Sequence, residues 1–119
     1  MTEHATAVAI ARALTAAWTS QDMDTAASFV AEDVVFDGPL GHVEGKAAYL
    51  QSLSQLARNF AVSGVRVVAV FGNATQALMV YELLTGRFGA LTCCKLLTIR
   101  DGTIQTDRLT FDSYAVRTA

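Results

Sequence analysis

LTCCKLLTIRDGTIQTDRLTFD, residues 91–112, is the stretch that decides the fold. Apolar and polar residues alternate on both sides of Arg100-Asp101-Gly102, the pattern of two half-buried strands joined by a tight turn. The turn admits two registers. A three-residue loop with Gly102 in the left-handed position pairs Ile99 with Thr103 and sets Lys95 opposite Asp107. A two-residue loop sets Lys95 against Arg108, a like-charge pair that sheets disfavour. The first register is chemically the better, and it predicts a Lys95–Asp107 pair across the hairpin.

Outward from this hairpin, the period of two extends back to Ser63-Gly64. Val65–Phe71 and Gln76–Thr85 read as two more strands, and "GNA", "GRFG" and "RDG" supply good turn chemistry between the four. Upstream the period changes. Ile10, Leu14, Ala17 and Trp18 recur at helical spacing and predict a helix over 5–19. Asp22 is a fitting N-cap for a short helix that carries Met23, Ala26, Ala27, Phe29 and Val30. Tyr49, Leu53, Leu56 and Phe60 share one face of a helix over about 46–59. Between these helices lies "VVFDGPLGHVEG", residues 34–45, an apolar strand from Val34 to Asp37 that breaks abruptly into a Gly- and Pro-containing loop holding His42. Three helices followed by a meander define an α+β fold, with the helices packed on one face of a curved antiparallel sheet. A curved sheet closed by helices makes a cone around an apolar pocket.

Composition agrees with an enclosed interior. The chain has 119 residues, which suits one domain over 1–119, and 52% of them are hydrophobic against 17% charged. So apolar a short chain encloses a pocket, buries a face against a partner, or both. The net charge of −2, with no basic cluster, argues against nucleic-acid binding. Residues 5–18 superficially resemble a signal-peptide core, but Glu3 and His4 precede them without Lys or Arg, and Arg12 interrupts the run. No segment is long enough to span a bilayer, so no membrane association is expected. Cys93 and Cys94 are adjacent, point to opposite faces of a strand, and form neither a disulfide with each other nor a metal site. They predict two thiols in a reducing compartment, hence a cytoplasmic protein with no metal.

The order of elements, together with "SQDMDTAASFVAEDVVFDGP", "GHVEGKAAYL" and "IRDGTIQTDRLTFD", resembles the NTF2-like superfamily, which includes ketosteroid isomerases, SnoaL-like polyketide cyclases and limonene epoxide hydrolases. The resemblance covers nearly the whole chain and bears on the fold more than on the reaction. It implies no cofactor. In the isomerases a strand ends on the general base just before a Pro-containing turn, and Asp37 stands at that position. Their helical Tyr oxyanion donor corresponds to Leu14, and their second donor, a protonated Asp, falls at or beside Lys95. The Arg-x-Asp pair of the epoxide hydrolases would fall within Gln76–Met79, which carries no charge, and their last-strand acid corresponds to Leu109. Asp107 is the nearest substitute, and SnoaL-like cyclases also use an acid from this region.

The resemblance also implies which side chains line the cone. Gln105, Asp107, Leu109 and Phe111 on the last strand, and Leu91, Cys93, Lys95 and Leu97 on the one before it, would face inward. Leu14, Trp18, Phe29, Val35, Leu53, Met79 and Tyr81 would complete the wall around a small hydrophobic molecule. Asp37, Asp107, Lys95 and His42 are the catalytic candidates. A carboxylate beside Lys95 and another in apolar surroundings would differ in pKa, which lets one act as base while the other orients or stabilises charge. His42 would relay protons. Trp18 and Tyr81 would give a donor or a stacking wall. Plainer readings stand beside these: Asp37 and Asp112 as turn or terminal caps, Lys95–Asp107 as a structural pair, His42 as a surface residue, Trp18 and Tyr81 as core. Cys93 has no His placed to activate it. Apolar residues on both faces of "VRVVAV" and "ALMVYELL" predict a homodimer through the sheets. The function expected is acid/base catalysis on a hydrophobic carbonyl or polyketide-like compound, by isomerisation or cyclisation, with Asp37 as base. The rival is a non-catalytic binding or dimerisation module, and a third reading is an accessory domain of a larger complex.

Overall fold

A computed structural model describes the backbone of residues 3–118 and the side chains of residues 7–118. The chain runs α1 (Glu3–Thr19), α2 (Met23–Ala27), β1 (Val30–Gly38), β2 (Gly41–Glu44), α3 (Lys46–Asn59), β3 (Val62–Gly72), β4 (Gln76–Thr85), β5 (Gly89–Arg100), β6 (Thr103–Phe111) and α4 (Tyr114–Arg117). The six strands form one sheet in the order β2-β1-β6-β5-β4-β3. Every pair is antiparallel except β1 with β6, which runs parallel.

α1 and α3 form where their apolar spacing meets one face of this sheet, and α2 packs on both of these helices. α1 buries Ala7, Ile10, Ala11, Leu14, Ala17 and Trp18. Its two buried hydroxyls bond back into the helix, Thr15 Oγ1 to the Ala11 carbonyl at 2.9 Å and Thr19 Oγ1 to the Thr15 carbonyl at 2.7 Å. Asp22 caps α2 by accepting the Thr25 amide at 3.2 Å. α3 buries Tyr49, Leu53 and Ala57, four residues apart. The core between helices and sheet holds Val34, Met79, Tyr81, Leu83, Leu97 and Ile104.

Four register shifts curve the sheet, at Val62/Gly64 and Val67/Ala69 between β3 and β4, at Thr98/Ile99 between β5 and β6, and at Val30/Val35 between β1 and β6. The one between β5 and β6 corrects the expected hairpin. The loop has two residues, Asp101 and Gly102, with φ of 54° and 77°, so Arg100 pairs with Thr103. Gln105 is then the extra residue of a bulge: Ile99 pairs with Ile104 but Thr98 with Thr106. Lys95 therefore stands opposite Leu109, and Asp107 opposite Leu97. Both still point into the core, because the bulge restores the parity that the shorter loop would have reversed.

Further boundaries differ from the pattern reading. α2 stops at Ala27, and Val30 belongs to β1, which starts four residues before the predicted Val34. The loop expected to hold His42 is strand β2, paired with β1 from Val35–Glu44 to Gly38–Gly41. The parallel β1–β6 pairing and the short α4 were not visible in the periodicity, since one depends on a contact between distant segments and the other is a single turn.

Candidate functional site

The centre of the cone is polar. Asp107 from β6 has no exposed surface and Lys95 from β5 is 1% exposed. Lys95 Nζ donates to Asp107 Oδ2 at 3.1 Å, and the Tyr49 hydroxyl from α3 donates to the same oxygen at 2.5 Å. Asp107 Oδ1 is buried with no hydrogen-bond partner among the described residues, and so is Trp18 Nε1. Lys95 Nζ also lies 5.8 Å from the centre of the Trp18 ring and 5.9 Å from that of Tyr81, so two aromatic faces share its positive charge. Three elements thus converge on one carboxylate, and one of its oxygens remains open.

Burial controls the proton chemistry around it. It pushes the Tyr49 hydroxyl well above the usual tyrosine range, and the neighbouring Asp107 charge adds to this. Tyr49 is accordingly a neutral donor at any physiological pH. Tyr81 is raised in the same way, by burial first and then by Cys93. Burial lifts the Cys93 thiol to about 11 despite the Lys95 charge, so it stays protonated and is a poor nucleophile. Both cysteines are free.

The expected site residues divide into two groups. Asp107, Lys95, Leu14, Trp18, Leu53, Met79, Tyr81, Cys93 and Leu97 are all buried in the interior, and Phe29, Leu109 and Phe111 pack half-buried against them. Asp37, His42 and Val35 lie elsewhere. Inward positions on β1 are Val34 and Phe36: Val34 is fully buried, and the Phe36 ring packs on Tyr49 with 5.8 Å between centres. Parity then turns Val35 and Asp37 to the other face, which corrects the expectation that both line the pocket. Asp37 is exposed on the β1–β2 hairpin and bonds His42 Nδ1 at 2.6 Å, while Glu44 bonds His42 Nε2 at 2.7 Å. This exposed trio raises the His42 pKa, through Asp37 first and Glu44 second. Among the described residues, no three His, Cys, Asp or Glu side chains are arranged to hold a metal ion.

Tyr49 and Phe36 are the residues that pattern reading missed. In the sequence Tyr49 falls on the apolar face of its helix, and its only signal is a hydroxyl on that face, which needs a buried partner. An open groove of about 220 Å³ lies beside them, between the β1–β2 hairpin and α3. Its apolar walls are Phe36, Leu40, Val43, Leu56 and Phe60, with Ser52, Gln55 and Asn59 along the rim.

A curved six-stranded sheet with helices packed against one face is the architecture of the NTF2-like class. The sequence profile of the SnoaL-like domain matches residues 11–106, and the chain belongs to that family. Among solved structures it is similar to a protein from Kribbella flavida DSM 17836, with 32% identity, a TM-score of 0.88, and 94% of this chain and 91% of the other covered. It is also similar to a candidate ketosteroid isomerase from the same organism, with 20% identity, a TM-score of 0.80, and 93% and 81% covered. An LEH-like epoxide hydrolase from M. tuberculosis shares 19% identity at a TM-score of 0.80, with 99% and 86% covered. The last two likenesses concern the fold alone. No curated protein sequence matches the chain.

Proposed function

We propose that this SnoaL-like domain is a cofactor-independent acid/base enzyme for a small hydrophobic carbonyl compound, with Asp107 rather than Asp37 as its base. One observation carries the reading: a fully buried carboxylate has one oxygen held by Lys95 and Tyr49 and the other without a protein partner. A buried acid fixed in this manner is oriented for proton transfer and shielded from water. Asp107 Oδ1 would take a proton from the carbon next to a carbonyl. The C–H electron pair becomes the enolate double bond, and the carbonyl pair moves to oxygen, where the ammonium of Lys95 offsets the charge. Returning the proton to another carbon gives isomerisation; attack of the enolate carbon on a second carbonyl, whose oxygen takes the proton back from Asp107, gives cyclisation. Asp37, bound to His42 on the exposed face of the hairpin, points away from this chemistry.

The test is exchange of α-hydrogens for deuterium in a panel of enolisable ketones, followed by NMR. Wild type should accelerate exchange for at least one, Asp107→Asn should abolish it, and Tyr49→Phe should weaken it. Equal exchange in wild type and Asp107→Asn would sink the reading. The rival, a binding module without turnover, is favoured by the dense packing of Leu14, Trp18, Met79 and Leu97 at the centre. It predicts ligand binding that Asp107→Asn leaves intact, with no exchange in either protein.

We also infer a homodimer in the cytoplasm. The support is the convex side of the sheet, where Phe71, Leu78 and Leu96 stand in register across β3, β4 and β5, with Ala69, Val80 and Cys94 in the next row. Phe71 is 66% exposed and Leu78 39%. An apolar sheet face of this kind suits a second copy related by a twofold axis.

A further inference from the structure

Asp107 and Lys95 are buried, and Phe36 stands between them and the groove beside α3. On one side the Phe36 ring packs against Tyr49, whose hydroxyl holds Asp107. On the other it forms a wall of the groove between the β1–β2 hairpin and α3. The ring is half-buried and lies over Gly38, where a Cβ would come within 2.9 Å of Phe36 Cζ. The missing Cβ leaves the ring its present seat, between the groove and the Tyr49–Asp107 contact.

We propose that this groove binds the apolar body of the substrate and that Phe36 is the gate through which its polar head reaches Asp107. The inference rests on the enzymatic reading above and adds the route by which its substrate enters. The groove carries no charged side chain. Its size of about 220 Å³ is smaller than the roughly 300–1,000 Å³ of a usual ligand pocket, so it accommodates part of a small molecule and not a large conjugate. The ligand is therefore neutral and largely apolar, with one carbonyl or hydroxyl head. A charged group on the part held in the groove is disfavoured, because the described lining provides nothing to pair with it. The head meets an acceptor in Asp107 Oδ1 and donors in Lys95 and Trp18, both of which have N–H groups not committed to a protein acceptor.

The chain's single tryptophan makes this testable without knowing the substrate. Trp18 sits beside Lys95, so quenching of its fluorescence by acrylamide, a neutral molecule with a carbonyl head, reads access to the centre. Phe36→Ala should raise the quenching constant several-fold, and Gln55→Phe, which fills the groove from an exposed position on α3, should lower it. Ile104→Ala removes a buried side chain of similar packing weight away from the groove and controls for general loosening. Iodide should quench none of these proteins appreciably. If Phe36→Ala and Ile104→Ala raise quenching equally, or if Gln55→Phe changes nothing, the gate is overturned. Should Phe36→Ala fail to fold, Gln55→Phe still decides the matter. The outcome is independent of the exchange experiment: altered access with unchanged exchange in Asp107→Asn would retain the gate and remove the proposed chemistry.

Discussion

A carboxylate taken out of water loses hydration worth several kcal/mol, and Asp107 recovers it from two donors, Lys95 and Tyr49, on one oxygen. The balance fails when one partner is removed. Asp107→Asn should destabilise the fold by about 3–5 kcal/mol in urea unfolding, mainly because Lys95 is left charged and unpaired in the core. Replacing both ends, Lys95→Met with Asp107→Leu, should restore most of that loss and abolish any α-hydrogen exchange, which separates the pair's structural weight from its chemical one. His42 is the opposite case, an exposed imidazole clasped by Asp37 and Glu44. Its folded pKa is raised above the ordinary 6.5. The clasp therefore stabilises the hairpin fully below the unfolded value, and this contribution is lost as pH rises through the folded pKa. An NMR titration should place the His42 midpoint above 6.5 in wild type and move it down in Asp37→Asn. A midpoint unmoved by that substitution would show that the Asp37 contact is not formed in solution.

At the scale of elements, the β5–β6 hairpin shows how a turn and a bulge cooperate. Asp101 and Gly102 both take positive φ, as a two-residue loop with the right-handed twist of its strands requires. That loop alone would have turned Lys95 and Asp107 to opposite faces. The extra residue Gln105 corrects the parity before Asp107 is reached. Gly102→Val should cost about 1–2 kcal/mol, since a side chain with a branched Cβ is strained in the left-handed region. The loss should appear as a lower denaturant midpoint with unchanged slope. The same arithmetic of faces settles β1: Phe36 looks in and Asp37 looks out, so the acid that ends the strand belongs to the hairpin and not to the cone.

The whole molecule is a sheet with one covered face and one open one. Helices bury the concave side, whereas Phe71, Leu78 and their neighbours remain on the convex side. If a second copy covers that side, Leu78→Lys should shift the protein to monomer in sedimentation equilibrium without loss of secondary structure. A wild type that is already monomeric at micromolar concentration would remove the dimer. None of the described helices is long and apolar enough to cross a membrane.

Much of this molecule was legible in the order of its residues. The helical spacing of Leu14 and Trp18, the cap at Asp22 and the period-two strands from β3 to β6 are local features, and local physics determines them. That Lys95 and Asp107 both face inward was legible from the family resemblance. The register that joins them was not, since a bulge depends on how two distant strands accommodate sheet curvature. Neither was the third member, Tyr49, which comes from a helix far away in sequence. The direction of Asp37 depended on the parallel pairing of β1 with β6, a contact with no trace in either segment alone. The sequence by itself therefore determined the elements and the charges that had to be buried. Only the tertiary structure decided which acid is enclosed, because enclosure is a property of how faces meet and periodicity describes one face at a time.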